Sequence, residues 1–253
     1  MAKNKLARFR ENLTFPYLHQ PTFDSVWRAP YPLQGQWAAQ QFSNQKPITL
    51  ELGCGRGEYT VALAQAAPEQ NYIGMDIKGA RLWVGARAVK EQGLTNVAFV
   101  RARIETLTSF FAPNEIAHLW LTFPDPQLKE RRAKKRLTGE RFLELYSRIL
   151  APSGVIHLKT DSRELYDFTL NEVATIGGRV LYAADNIDNI LEQFPLLRIS
   201  TYYERYFRER GKTICYLEFG LPEHWKAIGE SEVWQSPCEF WLGETHKDGL
   251  EEE

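Results

Sequence analysis

The chain has 253 residues, 43% hydrophobic and 25% charged, a make-up that suits one soluble domain with a sizeable buried core. It holds no run of about 18 consecutive apolar residues, as a membrane helix requires, and its basic start is not followed by an apolar region. These features read against membrane spanning and secretion and make a cytoplasmic protein the expectation.

Cys54, Cys215 and Cys238 share no short metal-ligand spacing and, being three, cannot all pair, which fits a reduced compartment and no metal site. The formal charge of −1 gives no overall pull toward nucleic acid, so only local clustering can supply one. Such a cluster exists in the run KERRAKKR, where Lys129, Arg131, Arg132, Lys134, Lys135 and Arg136 surround a single acid, Glu130.

In residues 1–45, Pro16, Pro21, Pro30 and Pro32 lie among aromatics and no period is kept, so an irregular arm is expected there. From about Pro47 short apolar runs alternate with longer helical patterns, the signature of βαβ units and a mainly parallel sheet. The first expected strand, 48–52, leads into a glycine-rich turn and the helix-like TVALAQAA. Further strands are expected at 72–76, 97–101, 118–122, 155–160 and 180–183, with a helix over about 79–92. Prolines and glycines fall between them at Pro68, Gly93, Pro113, Pro124, Pro126, Pro152 and Gly154, where turns are needed. TICYLEF, 213–219, reads as a final strand beside its predecessor. One domain is thus expected over 46–221. Residues 222–253, with Trp225, Trp234, Phe240 and Trp241, are expected to pack on it or stay partly disordered.

In ITLELGCGRG the glycines Gly53, Gly55 and Gly57 follow a strand and precede a helix. Glycine there lets backbone approach a ligand and frees amide donors at the helix start. A dinucleotide-binding loop wants its third glycine one place later, where Glu58 stands, so the spacing argues against NAD. About 20 residues on, Asp76 ends the next strand, placed to accept hydrogen bonds from both hydroxyls of a ribose. The pattern E-x-G-x-G-x-G with that distal acid resembles the cofactor motif of class I methyltransferases, a Rossmann-like α/β fold with a doubly wound, mainly parallel sheet and an antiparallel final strand. By that resemblance Glu51, Gly53, Gly55 and Gly57 hold the methionine part of S-adenosylmethionine, and Asp76 its ribose.

The stretch LTFPDPQLKERRAKKRLT follows the strand at 118–122. Ligands of doubly wound sheets sit outside the carboxyl ends of strands, so Asp125 is expected beside the cofactor, with Pro124 and Pro126 stiffening its turn. The basic run starts within a few residues, so one loop carries both a candidate active-site acid and a phosphate-binding surface.

The sequence here resembles the bacterial tRNA (guanine-N7)-methyltransferase family, over residues 48–219. Four segments in the family's order carry the likeness. They are Glu51-Leu52-Gly53-Cys54-Gly55-Arg56-Gly57, Phe123-Pro124-Asp125-Pro126 with its basic run, Lys159-Thr160-Asp161, and Thr201-Tyr202-Tyr203-Glu204. The resemblance implies methyl transfer from S-adenosylmethionine to N7 of guanosine 46, in the variable loop of tRNA, by a monomer or homodimer. It implies Asp125 as the catalytic acid beside the cofactor, and Lys129 and Asp161 as substrate contacts. Arg131, Arg132, Lys134, Lys135 and Arg136 become the RNA-binding segment, and Thr201, Tyr202, Tyr203 and Glu204 part of the guanine site.

Two positions depart from the family. Its tryptophan after the second proline is replaced by Gln127 and Leu128, and its aspartate after the third strand by Arg103. Arginine cannot accept the adenine amino hydrogens, which leaves backbone groups or Glu105 to bind that ring.

Guanine N7 carries a lone pair and no proton, so no base is needed and positioning should dominate, with Asp125 stabilising the cation formed. Guanine also shows donors at N1 and N2, which suits a carboxylate such as Glu204 as its reader. His118 and His157, inside expected strands, read as core residues, and Cys54 as a small residue in a tight turn with no base beside it. A class I methyltransferase with another acceptor, or a noncatalytic RNA-binding protein on the same fold, are the other readings.

Overall fold

The computed structural model describes residues 2–222 and Trp225. Among them one sheet is built from β1 Leu18–His19, β2 Ile48–Leu52, β3 Asn71–Asp76, β4 Val97–Arg101, β5 Ile116–Thr122, β6 Leu150–Thr160, β7 Arg179–Ala184 and β8 Cys215–Gly220. Its strand order is β1-β4-β3-β2-β5-β6-β8-β7. Every neighbouring pair is parallel except those of β8, which runs antiparallel to β6 and β7. This is the mainly parallel sheet with an antiparallel final strand that the sequence predicts. The helices are α1 Ala2–Asn12, α2 Phe23–Arg28, α3 Glu58–Ala66, α4 Gly79–Gln92, α5 Leu107–Phe110, α6 Glu140–Ser147, α7 Arg163–Thr175 and α8 Tyr202–Arg208.

β2 to β4 are buried on both faces, which is why they read as apolar runs rather than as alternations. Successive side chains divide between two cores. Leu50, Leu52, Ile73, Met75, Leu119 and Leu121 meet α6 and α7 through Leu143, Tyr146, Leu165 and Val173. Tyr72, Phe99, Trp120 and Tyr216 meet α3 and α4 through Tyr59, Leu63, Leu82 and Ala86. Gly93, left-handed at φ 64°, closes α4 by donating its N–H to the last carbonyls of that helix.

The chain before residue 45 is not the irregular arm expected. α1 lies on α4, where Asn12 Nδ2 donates to the Gly79 carbonyl at 2.9 Å and Trp83 Nε1 to Glu11 at 2.7 Å. β1 extends the sheet beside β4, and Trp37, fully buried, donates its indole N–H to the Phe110 carbonyl. A two-residue strand shows no period, and the anchoring aromatics are spaced by the surface they cover rather than by a helix or strand repeat. Of the C-terminal extension, Trp225 packs against the core shared by α6 and α7. Trp234, Phe240, Trp241 and Cys238 lie outside the described residues.

His157 is buried and His118 half-buried, each partnered within the sheet. His118 Nδ1 meets His157 Nε2 at 3.1 Å, His157 Nδ1 meets the Tyr216 hydroxyl at 2.8 Å, and the His157 ring stacks on Trp120. Burial, and then the neighbouring His118, pushes His157 down to about 3, so it stays neutral near pH 7.

Candidate active site

From β2 the chain proceeds to β3 and β4 on one side of the sheet, then crosses to β5 and β6 on the other. The direction of winding reverses between β2 and β5, and the crevice outside the carboxyl ends of such a pair is where open α/β sheets bind ligands. Both candidate motifs leave the sheet there, the glycine turn from β2 and the Asp125 turn from β5.

At the end of β2, Gly53, Gly55 and Gly57 have φ of 70°, 57° and 68°, the left-handed region that glycine enters without strain. A Cβ on Gly53 or Gly55 would meet no atom within 4 Å, so this stretch borders open space. A Cβ on Gly57 would strike the Phe99 ring at 2.6 Å, so that glycine serves close packing. Asp76 holds the turn: it accepts from Gly55 N–H at 2.9 Å and from Lys78 N–H at 2.7 Å, one bond to each oxygen. Beneath lies Glu51, 2% exposed, which accepts from the Thr60 hydroxyl and backbone N–H and from the Thr122 hydroxyl. Burial pushes its carboxyl up to about 7 in spite of those three donors, and the charge of Asp76 adds to the rise. Cys54 is buried and its thiol is raised well above the usual range, chiefly by burial, in keeping with a packing role.

Asp125, just past the end of β5, is exposed. Phe123 and Gln127, two residues to either side, have φ of 50° and 46°, a conformation that non-glycine residues adopt at a cost of about 1–3 kcal/mol each. Such strain is found where the surroundings fix a loop. Phe123 N–H is held by the Lys159 carbonyl at 2.8 Å, and Gln127 N–H donates to Asp125 Oδ1 at 3.0 Å. Gln127 thus stands where the family has tryptophan, as part of the turn that orients the acid.

The basic run forms a short 3₁₀ helix, Glu130–Lys135, with no buried residue. Lys129, Arg131, Arg132, Lys134 and Lys135 are exposed. Arg136 is half-buried, donates to the Pro126 carbonyl at 3.3 Å and lies 4.3 Å over the Phe168 ring, so it ties the run back to the Asp125 turn. Across the crevice, Arg103 pairs with Glu105 at 3.4 Å, which places an acid, already partnered, near the end of β4.

Thr201, Tyr202, Tyr203 and Glu204 form the start of α8. Thr201 is the N-cap, its hydroxyl accepting from Glu204 N–H at 3.2 Å. Glu204, 2% exposed, has one oxygen 2.7 Å from Lys159 Nζ and the other 3.0 Å from Arg208 Nε. Lys159 is fully buried, and its ammonium also donates to the Leu197 and Ile199 carbonyls at 2.9 and 2.8 Å. Burial pulls the pKa of Lys159 down while Glu204 holds it up. Asp161, at the end of β6, lines an open cavity of about 610 Å³ with Asp185, Asn186 and Lys212. Its carboxyl is raised by burial.

Three site residues lie outside the expectations from sequence. Lys159 belongs to a motif that assigns it no role. Glu58 accepts from Tyr202 N–H at 2.7 Å and stands 3.9 Å from Arg205, and Arg56 lies 4.6 Å over the Tyr202 ring. The glycine turn is thereby fastened to α8. The same helix reaches the Asp125 turn through Phe207, stacked on Phe123 at 6.0 Å. Among the described residues no group of His, Cys, Asp and Glu is placed to hold a metal ion, and no helix is long and apolar enough to cross a membrane.

A family model described as a putative methyltransferase matches residues 45–217. A tRNA (guanine-N(7)-)-methyltransferase of Christiangramia forsetii is 46% identical over 87% of this chain and 99% of its own length. One of Porphyromonas gingivalis is 49% identical over 83% and 86%. Among solved structures, the 16S rRNA methyltransferase KamB superposes with a TM-score of 0.55 at 14% identity, covering 72% of this chain and 92% of its own, a likeness of fold. The sheet is therefore that of the class I methyltransferases, and the chain belongs to the tRNA (guanine-N7)-methyltransferase family.

Proposed function

We propose that this protein transfers the methyl group of S-adenosylmethionine to N7 of a guanosine in tRNA, and that the guanosine is number 46, in the variable loop. The observation that carries the reading is the Thr122 to Glu51 hydrogen bond. It joins the end of β5 to the end of β2, so the acid-bearing turn with its basic run and the glycine turn open from one crevice.

The residues present fit the cofactor. Gly53 and Gly55 leave space beside bare backbone, Glu51 lies under the turn for the cationic methionine end, and each Asp76 oxygen keeps a lone pair for a ribose hydroxyl. Arg103 is neutralised by Glu105, so Glu105 and nearby backbone are assigned to the adenine side. Bound there, S-adenosylmethionine supplies an electrophilic methyl carbon.

Guanine N7 has no proton to lose, so the work of the protein is placement, which is worth about 7–11 kcal/mol of barrier when reacting atoms are held in line. Asp125, fixed by its turn, faces the positive charge that the base acquires and stabilises it. Lys129 and Asp161 are assigned to the acceptor nucleotide, the cations from Arg131 to Arg136 to phosphates, and the first turn of α8 to the base. On that turn Tyr202 and Tyr203 are exposed to meet the base, and Glu204, buried between Lys159 and Arg208, is assigned to guanine N1–H and N2–H once the base displaces the packing over it.

The test is methyl transfer from labelled S-adenosylmethionine to an unmodified tRNA transcript, followed by chemical cleavage at 7-methylguanosine. A single cut at position 46 is expected. Label in ribosomal RNA or protein instead, or bound cofactor with no transfer to any tRNA, would overturn the reading.

A further inference from the structure

We propose that the outer face of α8 is a stacking platform for unpaired nucleotides of the RNA that flank the target guanosine, a role that rests on the RNA reading above. Thr201, Glu204 and Arg208 turn toward Lys159 and Asp188, so the opposite face of the helix looks outward. That face carries the exposed rings of Tyr202, Tyr203 and Tyr206, with Arg210 just past the helix end, while Phe207 sits at its edge, half-buried against the core. An aromatic stripe at helical spacing ordinarily points into a core. Here Tyr203 and Tyr206 are 41% and 40% exposed.

The rings are ordered rather than scattered. Phe123 stacks on Phe207 at 6.0 Å and 28°, and Phe207 on Tyr203 at 6.5 Å and 26°, so near-parallel rings lead from the Asp125 turn to Tyr203, while Tyr206 stands edge-on to Phe207 at 5.5 Å and 79°. At the far end the Arg210 guanidinium lies 3.5 Å over the Tyr206 ring. Arg205, Arg210 and Lys212 are exposed around the stripe, with the acids Glu209 among them and Glu58 3.9 Å from Arg205.

Aromatic faces with cations around them match a polyanion whose bases are unstacked, because every base offers a π face while its backbone seeks positive charge. A paired duplex keeps its base faces hidden and gives the rings nothing to cover. The unpaired nucleotides beside the acceptor are therefore the occupant, and stacking them would keep the target base turned out toward Asp125.

The test uses the full chain, an unmodified tRNA transcript and S-adenosylhomocysteine, with dissociation constants measured at several salt concentrations. Tyr206→Ala should weaken tRNA binding about tenfold, some 1.4 kcal/mol, and leave the salt slope unchanged, since stacking releases no counterion. Tyr206→Phe should restore affinity. Arg210→Ala should also weaken binding and flatten the slope by about 0.7–0.9. With 2-aminopurine beside the target guanosine, the wild type and Tyr206→Phe should change its fluorescence and Tyr206→Ala should not. Melting and cofactor binding serve as folding controls. Wild-type affinity in Tyr206→Ala, with tRNA still methylated, overturns the platform alone. A change in self-association in that variant without a change in tRNA affinity assigns the face to a second copy and also overturns it. Failure of the wild type to bind or methylate any tRNA removes the RNA reading itself.

Discussion

Thr122 Oγ1 donates to Glu51 Oε1 at 2.5 Å, tying the strand that ends at the cofactor turn to the strand that ends at the Asp125 turn. The acid in this bond is raised to about 7 in the folded protein from an ordinary 4.5, mainly by burial. Between those values the folded chain binds more protons than the unfolded one. The stability conferred by neutral Glu51 is therefore complete below about 4.5 and is lost as pH rises through about 7. The penalty above that is on the order of 3 kcal/mol. Glu51→Gln should flatten the fall in melting temperature of the unliganded protein between pH 5 and 8, and should weaken S-adenosylmethionine binding at pH 8. A variant that loses stability with pH as steeply as the wild type would take Glu51 out of this titration.

Asp125 is exposed and its turn is fixed by neighbouring backbone, so Asp125→Asn should fold normally. It should bind cofactor with unchanged affinity and lose kcat by roughly 10²–10³, the usual cost of removing one electrostatic contact to a developing charge. Calorimetric cofactor binding beside single-turnover methylation separates the two. A variant with wild-type kcat would leave placement as the whole of catalysis.

The parts legible in the sequence are those held by local or short-range chemistry. β2, β3 and α4 stand where the apolar runs and Gly93 put them, because a strand covered on both faces is apolar throughout. The glycine turn, Asp76 and the Asp125 turn could be read because each is written in consecutive residues. Contacts across long separations could not. Tyr202 meets Glu58 across 144 positions, and Glu204 meets Lys159 only because α8 folds back over the end of β6. Nothing near Glu204 in sequence announces a buried lysine. The N-terminal segment escapes the sequence for a related reason: α1 and β1 are defined by the surface of α4 and the edge of β4 that they cover.

The basic run should act through phosphates. Replacing both Lys134 and Lys135 with alanine should flatten the dependence of log Kd on log salt by about 1.4–1.8, two counterions' worth, while cofactor binding stays constant. Arg136→Ala should behave differently, because that side chain is spent on the Pro126 carbonyl and the Phe168 ring. Its loss should lower kcat by loosening the Asp125 turn and change the salt slope less than the lysine pair does. Equal slopes for the wild type and the lysine double variant would move the RNA surface elsewhere.

Lys159 has three acceptors around its ammonium, so no donor is left for a substrate and its role is to seat Glu204 and the turn at 197–199. Lys159→Met leaves a buried carboxylate short of one cation and should cost about 3–5 kcal/mol of stability. Adding Glu204→Gln in the same chain should recover a large part of that, because the uncompensated charge is gone. Glu204→Gln alone should still bind S-adenosylmethionine and lose at least tenfold in guanosine turnover, since the amide puts an NH2 donor where one carboxylate oxygen accepted and removes the charge that strengthens both bonds. Denaturant unfolding of the four proteins gives the coupling between the two sites, and methylation assays give the catalytic part. Strictly additive stabilities would show that the pair is not energetically linked. Full turnover by Glu204→Gln would reduce Glu204 to the structural partner of Lys159 and shift guanine reading to Tyr202 and Tyr203.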